Sequence, residues 1–502
     1  MEGSQITHKS ENLSRVIKKS AAWLYFGRVM IFFVNMGGSI VLARLLEPED
    51  FGVFGIVLIF VGLATRCGNV GFGLALVQRE KIEDAHISSL FVVNFCLFSI
   101  IAVVLVWVSP LIGTYFDSPL SGEVLGVLSV VFLLKPFSSV PRALLQRKME
   151  FKVQTFAQTS RNILWVFSAI GLALNGFGVW SLAYSEIIAE FFWVTIMIFY
   201  ARWRPSFLYK HSAMKDLFSF GSAIFINRLV VYGSDKVDIV FIGKQLGVGP
   251  LGLYEKAYGL MNMTIRELGN LMEPILFRAF SIIQNDPGRI LAGYKKVLLT
   301  FSLISYPIFF GLSCIAPSFI YVVYGEKWMA SVIPLQIMCF SGIFRLQLKV
   351  MTIVMNAMGK VKIETGLRFV ALILLIIGCG IGSIWGINGV ASATTIVSGI
   401  LSLGVTIYFS QLTHLRIFHL MRPQATPLVA AVFMYVMVLF VQNLIFGIEA
   451  HSLLALMVLV IVGALTYVGT LLILRPPAVM ALIHEMGEDF KPFLKKFKQV
   501  SL

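Results

Sequence analysis

Four arginines at a fixed spacing are the residues of this chain best suited to bind an anion. Arg28 and Arg66 lie in apolar stretches of the first half, and Arg228 and Arg266 lie in apolar stretches 200 residues later. Arginine stays charged, and its planar set of donors can bind two phosphate oxygens at once. An ionisable residue inside a membrane span is a functional candidate. The pattern therefore predicts a cationic cavity for an anionic cargo, and these arginines are its first candidates.

The arginines belong to an internal repeat, because the same spacing relates further residues. It pairs Asn35 with Asp235, Arg44 with Lys244, Gly52 with Gly252, and Phe54 with Tyr254. Asn35 and Asp235 each follow an arginine of the set by two helical turns, which places both polar side chains on one face of a helix. We expect these helices to line a cavity.

Composition places the elements that hold these residues in a membrane. The 502 residues are 58% hydrophobic and 13% charged, beyond what a soluble core could bury. Apolar runs long enough to cross hydrocarbon predict fourteen spans. They fall at residues 21–43, 52–76, 87–109, 120–141, 154–174, 178–200, 215–243, 252–276, 294–316, 328–350, 363–383, 388–411, 424–446 and 451–474.

The predicted fold class is an all-α polytopic membrane protein with two parallel six-helix repeats and an extra C-terminal pair. Its domains are a polar cytoplasmic N-terminus (1–20), an N-lobe (21–200), a basic linker (201–214), a C-lobe (215–411), the extra pair (424–474) and a basic tail (475–502). The tail is expected to lie as an amphipathic helix on the inner membrane surface.

Loop charges predict the orientation. The lysines and arginines between spans gather on alternate connections, and only Arg44, Lys244 and Lys327 lie on the opposite side. Because such residues accumulate in cytoplasmic loops, both termini are expected in the cytoplasm. No cleavable signal is visible in the first twenty residues. The net charge is +15, and most of the cations lie in the loops on the cytoplasmic side of the membrane. Their location is explained by the membrane, so no nucleic-acid partner is predicted.

Parallel repeats favour transport, since transporters of this kind hold their substrate between the halves. The alternative is a scaffold enlarged by duplication. Four further cations in the spans are candidates for substrate binding: Lys135, Arg161, Arg345 and Arg368. Each lies near a cytoplasmic span end, so its side chain could instead reach back to the headgroups.

Five acidic residues and two lysines crowd the seventh and eighth spans, and we call them the acidic group. The group comprises Asp235, Lys236, Asp238, Glu255, Lys256, Glu267 and Glu273. A partly buried carboxylate can bind H⁺ or Na⁺ and couple its gradient to transport. The alternative is a set of ion pairs that closes the outer end of the cavity, as the two lysines suggest. Glu186 and Glu190, spaced i, i+4, are expected to partner cations of the first half.

No catalytic residue, metal site or cofactor is predicted. The five cysteines lie in apolar runs without paired spacing, the seven histidines have no metal-ligand spacing, and no Walker motif is present. The outer loops are short, which leaves little room for an enzyme acting on lipid-linked sugars.

Several stretches resemble a known family. They are LARLLEPEDFGVFGIVLIFVGLA at 42–64, GFGLALVQRE at 71–80, LLQRKMEF at 144–151, LGLYEKAYGLMNM at 251–263, PILFRAFS at 274–281 and YGEKWMASVIPLQ at 324–336. From about Ser14 to Arg475 the chain resembles the Wzx-like polysaccharide-exporter flippases, of the colanic acid and teichuronic acid exporter group. These belong to the multidrug/oligosaccharidyl-lipid/polysaccharide superfamily.

The resemblance implies two six-helix lobes that alternate between inward-open and outward-open states. The implied cargo is undecaprenyl-diphosphate carrying an oligosaccharide repeat unit, and a polysaccharide polymerase or export complex is an implied partner. The last two spans resemble the extra pair of the peptidoglycan-precursor flippases. Two alternatives stay open: a drug or cation antiporter of the same fold, and a membrane-embedded polysaccharide ligase or polymerase.

Overall fold

The structure is a computed structural model, and every regular element that it describes is a helix. It describes residues 27, 30–69, 73, 76, 77, 79, 82–211, 231–413, 416–446, 452–477 and 479–481. The predictions for the N-terminus, Arg28, Arg228 and the amphipathic tail therefore lie outside the described residues. By their contacts the residues form two compact units, a first unit up to Glu255 and a second unit from Lys256.

The described residues of the first unit include eight helical segments. They are α1 (Met30–Leu45), α2 (Pro48–Gly68), α3 (Asp84–Tyr115), α4 (Pro119–Leu128), α5 (Val130–Arg147), α6 (Phe151–Leu174), α7 (Trp180–Ala201) and α8 (Val237–Gln245). Local sequence fixes several of their ends. At the start of α2, Glu47 and Asp50 form a reciprocal capping box, and Pro48 occupies the first turn, where a backbone donor is not needed.

A long helix, α9 (Val248–Ile282), starts in the first unit and continues into the second. The second unit adds α10 (Pro287–Val323), α11 (Val332–Ala357), α12 (Val361–Gly382), α13 (Gly386–Thr413), α14 (Ile417–Met421), α15 (Ala425–Val441) and α16 (Leu453–Leu474). Short 3₁₀ turns at Glu326–Ser331, Ser383–Trp385 and Arg422–Gln424 join some of them.

Each of the fourteen predicted spans overlaps at least one of these helices, which confirms the predicted all-helical membrane class. Among the described residues, nine helical segments are long and apolar enough to cross a membrane. Helix α1 is apolar but shorter, and α9 carries a row of charged residues. The number of fourteen spans therefore remains a prediction. Several helices continue beyond the predicted spans, as α5 does to Arg147 where the fourth span ends at 141.

The apolar cores lie between helices within each unit. In the first unit, Phe91 stacks edge-on with Phe137 and Trp203. In the second unit, Tyr306 of α10 belongs to one apolar cluster with Met434 of α15 and Leu459 of α16. The hydroxyl of Tyr467 of α16 donates to the carbonyl of Leu303 at 3.1 Å. The extra C-terminal pair is thus packed on α10.

Two glycines mark a backbone contact between α2 and the start of α9. A methyl group on Gly52 would overlap the carbonyl oxygen of Val248, and a methyl group on Gly252 would overlap that of Pro48. The contacting residues are themselves repeat equivalents, so the contact is reciprocal, like a two-fold interface. Small residues allow such approach of membrane helices.

We expect Gly52→Ala and Gly252→Ala each to lower the unfolding temperature of the purified protein, because overpacking typically destabilises by about 1–3 kcal/mol. The unfolding temperature of the double variant should fall by less than the sum of the two single decreases, since either change alone already separates the two backbones. Tryptophan fluorescence during heating measures this. The matched control is Gly259→Ala on α9, where a methyl group meets open space. Single variants as stable as the control would contradict the close contact.

Candidate functional site

The first unit contains a partly open polar cavity of about 580 Å³ among α2, α3, α5, α6 and α7. Its wall carries three cations and a carboxylate among hydroxyl and amide side chains. The lining residues are Thr65, Gly68, Asn69, Gly73, Asn94, Phe98, Lys135, Ser138, Ser139, Arg142, Ala143, Gln146, Gln158, Arg161, Glu190 and Trp193. Such a wall suits a ligand rich in hydroxyl and anionic groups.

Helical spacing places the polar residues on this wall. On α5, Lys135, Ser138, Ser139 and Arg142 follow one another at intervals that keep them on one face. Helix α5 also contains Pro136 and Pro141, which leave backbone carbonyls without intrahelical donors. The carbonyl groups that lack a backbone donor and the polar side chains therefore lie in the same stretch of α5.

An ionic cluster stands at the α6–α7 side of the cavity. The guanidinium of Arg161 pairs with the Glu186 carboxylate and lies 3.4 Å from Oε2 of Glu190. The Arg161 side chain is 17% exposed and that of Glu190 only 9%. Because α6 and α7 are consecutive packed helices, the i, i+4 carboxylates of α7 face α6 together. The prediction that Glu186 and Glu190 partner a cation of the first half is confirmed.

Lys135 is held differently. Its Nζ donates to Oγ1 of Thr65 at 3.2 Å and stands 5.3 Å from the ring centre of Phe132. A hydroxyl does not neutralise an ammonium, so Lys135 keeps its attraction for an anion. Arg142 is exposed on the same face of α5. An anion could therefore meet Lys135 and Arg142 while Arg161 stays paired.

Arg66, a first-choice candidate, is outside the cavity lining. Its Nη1 donates to the carbonyl of Gly62 at 3.0 Å, and its guanidinium lies 3.9 Å from the ring centre of Tyr232. The Tyr232 hydroxyl in turn donates to the carbonyl of Ile59 at 2.6 Å. Arg66 is thus part of the packing between α2 and the segment before α8.

In the second unit, Arg345 and Arg368 are half-buried and Arg266 is exposed. Arg345 Nε donates to Oγ of Ser341, and its Nη1 donates to the Tyr258 hydroxyl, both at 3.1 Å. Arg345 precedes the end of α11 by as many residues as Lys135 precedes the end of α5. The repeat thus places one hydroxyl-bonded cation on equivalent helices of both units. Lys135 and Arg345 are 210 residues apart. A fixed spacing of 200 residues does not match them, because the spacing between equivalent residues of the two halves changes along the chain.

The members of the acidic group do not form one cluster in the structure. Each has its own surroundings, some in the first unit and some in the second. In the first unit, Lys236 Nζ lies 3.9 Å from Glu255, and Asp238 accepts from the Tyr254 hydroxyl at 2.8 Å, while Asp235 is exposed. In the second unit, buried Lys256 stands over the rings of Tyr324 and Trp328, Glu267 pairs with Arg266, and Glu273 pairs with Lys349. Their coupling or gating roles remain predictions.

Metal chemistry gains no support within the described residues, where no group of three or more His, Cys, Asp or Glu side chains could hold an ion. The sequence analysis does not predict the hydroxyl and amide wall, and Arg142 lies just outside the predicted fourth span, which ends at 141. The regular spacing of polar residues along α5 was the available signal.

Comparisons with known proteins point to one family. A family model described as polysaccharide biosynthesis protein matches residues 41–333. Lipopolysaccharide biosynthesis protein WzxC of Escherichia coli (strain K12) is 25% identical over 331 residues, which cover 65% of this chain and 66% of that protein. Teichuronic acid biosynthesis protein TuaB of Bacillus subtilis (strain 168) is 23% identical over 361 residues, covering 71% and 72%. The resemblance stated from the sequence stretches is confirmed.

A solved structure shows the fold. The lipid II flippase MurJ, in its inward closed conformation, matches with a TM-score of 0.72 at 16% identity, covering 91% of this chain and 98% of that one. The two chains therefore share a membrane-transporter fold, as predicted.

We expect Arg161→Gln to destabilise the protein, because Glu186 and Glu190 would then share a partly buried site without their guanidinium partner. Adding Glu190→Gln should restore part of the loss, with a coupling energy of about 0.5–3 kcal/mol. Thermal unfolding of both single variants and the double variant measures it, with Arg204→Gln, an exposed cation outside the helices, as the control. Strictly additive effects would mean that the pair contributes nothing.

Proposed function

Because the chain belongs to the polysaccharide biosynthesis protein family, we propose that it is a flippase for lipid-linked oligosaccharides. The cargo is undecaprenyl-diphosphate carrying an oligosaccharide repeat unit, turned from the inner to the outer leaflet of a bacterial cytoplasmic membrane. The product serves exopolysaccharide, capsule or O-antigen assembly. The polar cavity with Lys135, Arg142 and Arg161 inside a membrane-spanning unit carries the proposal.

The cavity chemistry suits a sugar diphosphate. Lys135 and Arg142 attract phosphate oxygens, and Arg142 offers them a planar set of donors. Ser138, Ser139 and Asn94 offer donors and acceptors to sugar hydroxyls. A volume of about 580 Å³ is in the range of small-molecule sites and suits a diphosphate with its first sugar. The polyprenyl chain would stay in the surrounding lipid.

The transport step needs no covalent chemistry, so the protein acts as a transporter and not as an enzyme. Two lobes alternate in access to the membrane sides, with both termini in the cytoplasm. Transport is coupled to H⁺ or Na⁺ through the carboxylates of the spans, without a bound cofactor. A polysaccharide polymerase or export complex receives the product.

One observation favours a second function, an antiporter for cationic drugs. Glu190 gives the cavity wall a carboxylate, with Glu186 beside it behind the wall, and carboxylates attract cations. Both are already paired with Arg161, which leaves the net charge of the wall positive.

The test is transfer of radiolabelled undecaprenyl-diphosphate oligosaccharide into proteoliposomes. We expect Lys135→Met and Arg142→Met each to slow transfer about tenfold or more, the effect of losing one charge-assisted hydrogen bond to the cargo. The matched control is Lys148→Met, which removes an exposed cation at the end of α5.

Unequal rates between the cavity variants and the control would support the proposed site. Equal rates would assign Lys135 and Arg142 to structure. Absence of lipid-linked transfer by the wild type, together with export of a cationic dye, would replace the flippase with the antiporter.

A further inference from the structure

A second cavity, of about 370 Å³, opens on the surface of the first unit and shares no residue with the polar cavity. It lies where the start of α1, the first half of α6 and the end of α7 meet. Its wall includes Met30, Lys152, Thr155, Phe156, Thr159 and Tyr200. Met30, Phe156 and Tyr200 are 43%, 56% and 45% exposed, so the groove faces the surroundings of the helices. Within predicted spans, those surroundings are lipid.

Two hydroxyls in this groove lack partners. Thr155 is 9% exposed, and Oγ1 of Thr155 and Oγ1 of Thr159 have no hydrogen bond with any residue that the structure describes. Helical threonines elsewhere in the first unit bond back to a carbonyl one turn earlier, as Thr65 does to Val61 and Thr195 to Phe191. A buried hydroxyl without a partner is costly. These two therefore point to a polar group that occupies the groove.

A cation stands at one end of the groove. Lys152 is in the first turn of α6, on the side of the membrane that the loop charges mark as cytoplasmic. Lys148 and Arg202 are exposed at the adjoining helix ends. Basic pockets between membrane helices on this side attract anionic lipid headgroups.

The spacing along α6 matches the polar part of a phospholipid. Lys152, Thr155 and Thr159 follow one another at i, i+3 and i, i+4 intervals and lie on one face, spanning about 10 Å along the axis. In a glycerophospholipid the phosphate and the acyl-ester oxygens are separated along the molecule in the same order, followed by hydrocarbon. Phe156 and Met30 offer that hydrocarbon an apolar wall.

We propose that this groove binds one anionic glycerophospholipid of the cytoplasmic leaflet. Its phosphate pairs with Lys152, its ester oxygens accept from the hydroxyls of Thr155 and Thr159, and an acyl chain lies against Phe156 and Met30. The volume of about 370 Å³ suits a glycerol phosphate with a few methylenes. This lipid site is separate from the transported cargo and does not rest on the proposed function.

The test is native mass spectrometry of the full-length protein titrated with phosphatidylglycerol or phosphatidylcholine. The wild type should bind one phosphatidylglycerol in preference to phosphatidylcholine. Lys152→Gln should reduce that preference about tenfold, since it removes one charge-assisted hydrogen bond. Thr155→Val with Thr159→Val preserves side-chain shape, and should weaken both lipids alike because both contain ester groups.

The controls are Lys360→Gln, an exposed cation of the second unit, and Thr195→Val, whose hydroxyl bonds back to its own helix. Both should bind lipid as the wild type does. Three results would overturn the proposal: no preference between the two lipids, unchanged binding by the groove variants, or displacement of phosphatidylglycerol by undecaprenyl phosphate at equal concentration. The last would assign the groove to the cargo lipid. Binding is measured without transport, so a failed flippase assay leaves this test intact.

Discussion

Hydrocarbon offers no water to a charged side chain, so each cation in a membrane span must find its partners inside the protein. The chain meets this constraint in several ways. Arg161 is shared by two carboxylates, Arg345 is bonded to hydroxyls, and Arg66 lies between a carbonyl and a tyrosine ring. Buried Lys256 stands over two aromatic rings. Arg161 is paired with opposite charge, whereas Lys135 in the polar cavity contacts the uncharged Thr65 hydroxyl, which leaves a positive field there.

The sequence predicted the helices well because their determinants are local. Long apolar runs require helices, since only internal hydrogen bonds satisfy a backbone in lipid. The pairing partners of Arg161 were also predictable, because an i, i+4 pair of carboxylates lies on one helix face. The repeat matched Gly52 and Gly252 only as equivalent positions in the sequence. That Gly52 and Gly252 touch each other's helix needed the structure.

Tertiary contacts decided what the sequence could not. The partner of Arg66 is Tyr232, far along the chain, and no spacing rule links the two. The acidic group looked like one cluster because its members are close in sequence, yet Lys256 faces Tyr324 and Trp328 while Glu255 pairs with Lys236. Adjacent residues on a helix point in different directions, so proximity along the chain says little about shared chemistry.

The first packing unit is longer than the first repeat, and this has a consequence for how the protein is made. The repeat ends near residue 200, whereas the first unit includes Tyr232, α8 and the first turns of α9, up to Glu255. A ribosome that has delivered only the first six spans has not yet supplied the ring beneath Arg66 or the backbone opposite Gly52. Because N-terminal parts usually fold first during synthesis, the first half must wait in the membrane for the opening helices of the second. The first half therefore completes its packing only after the second half has begun to enter the membrane.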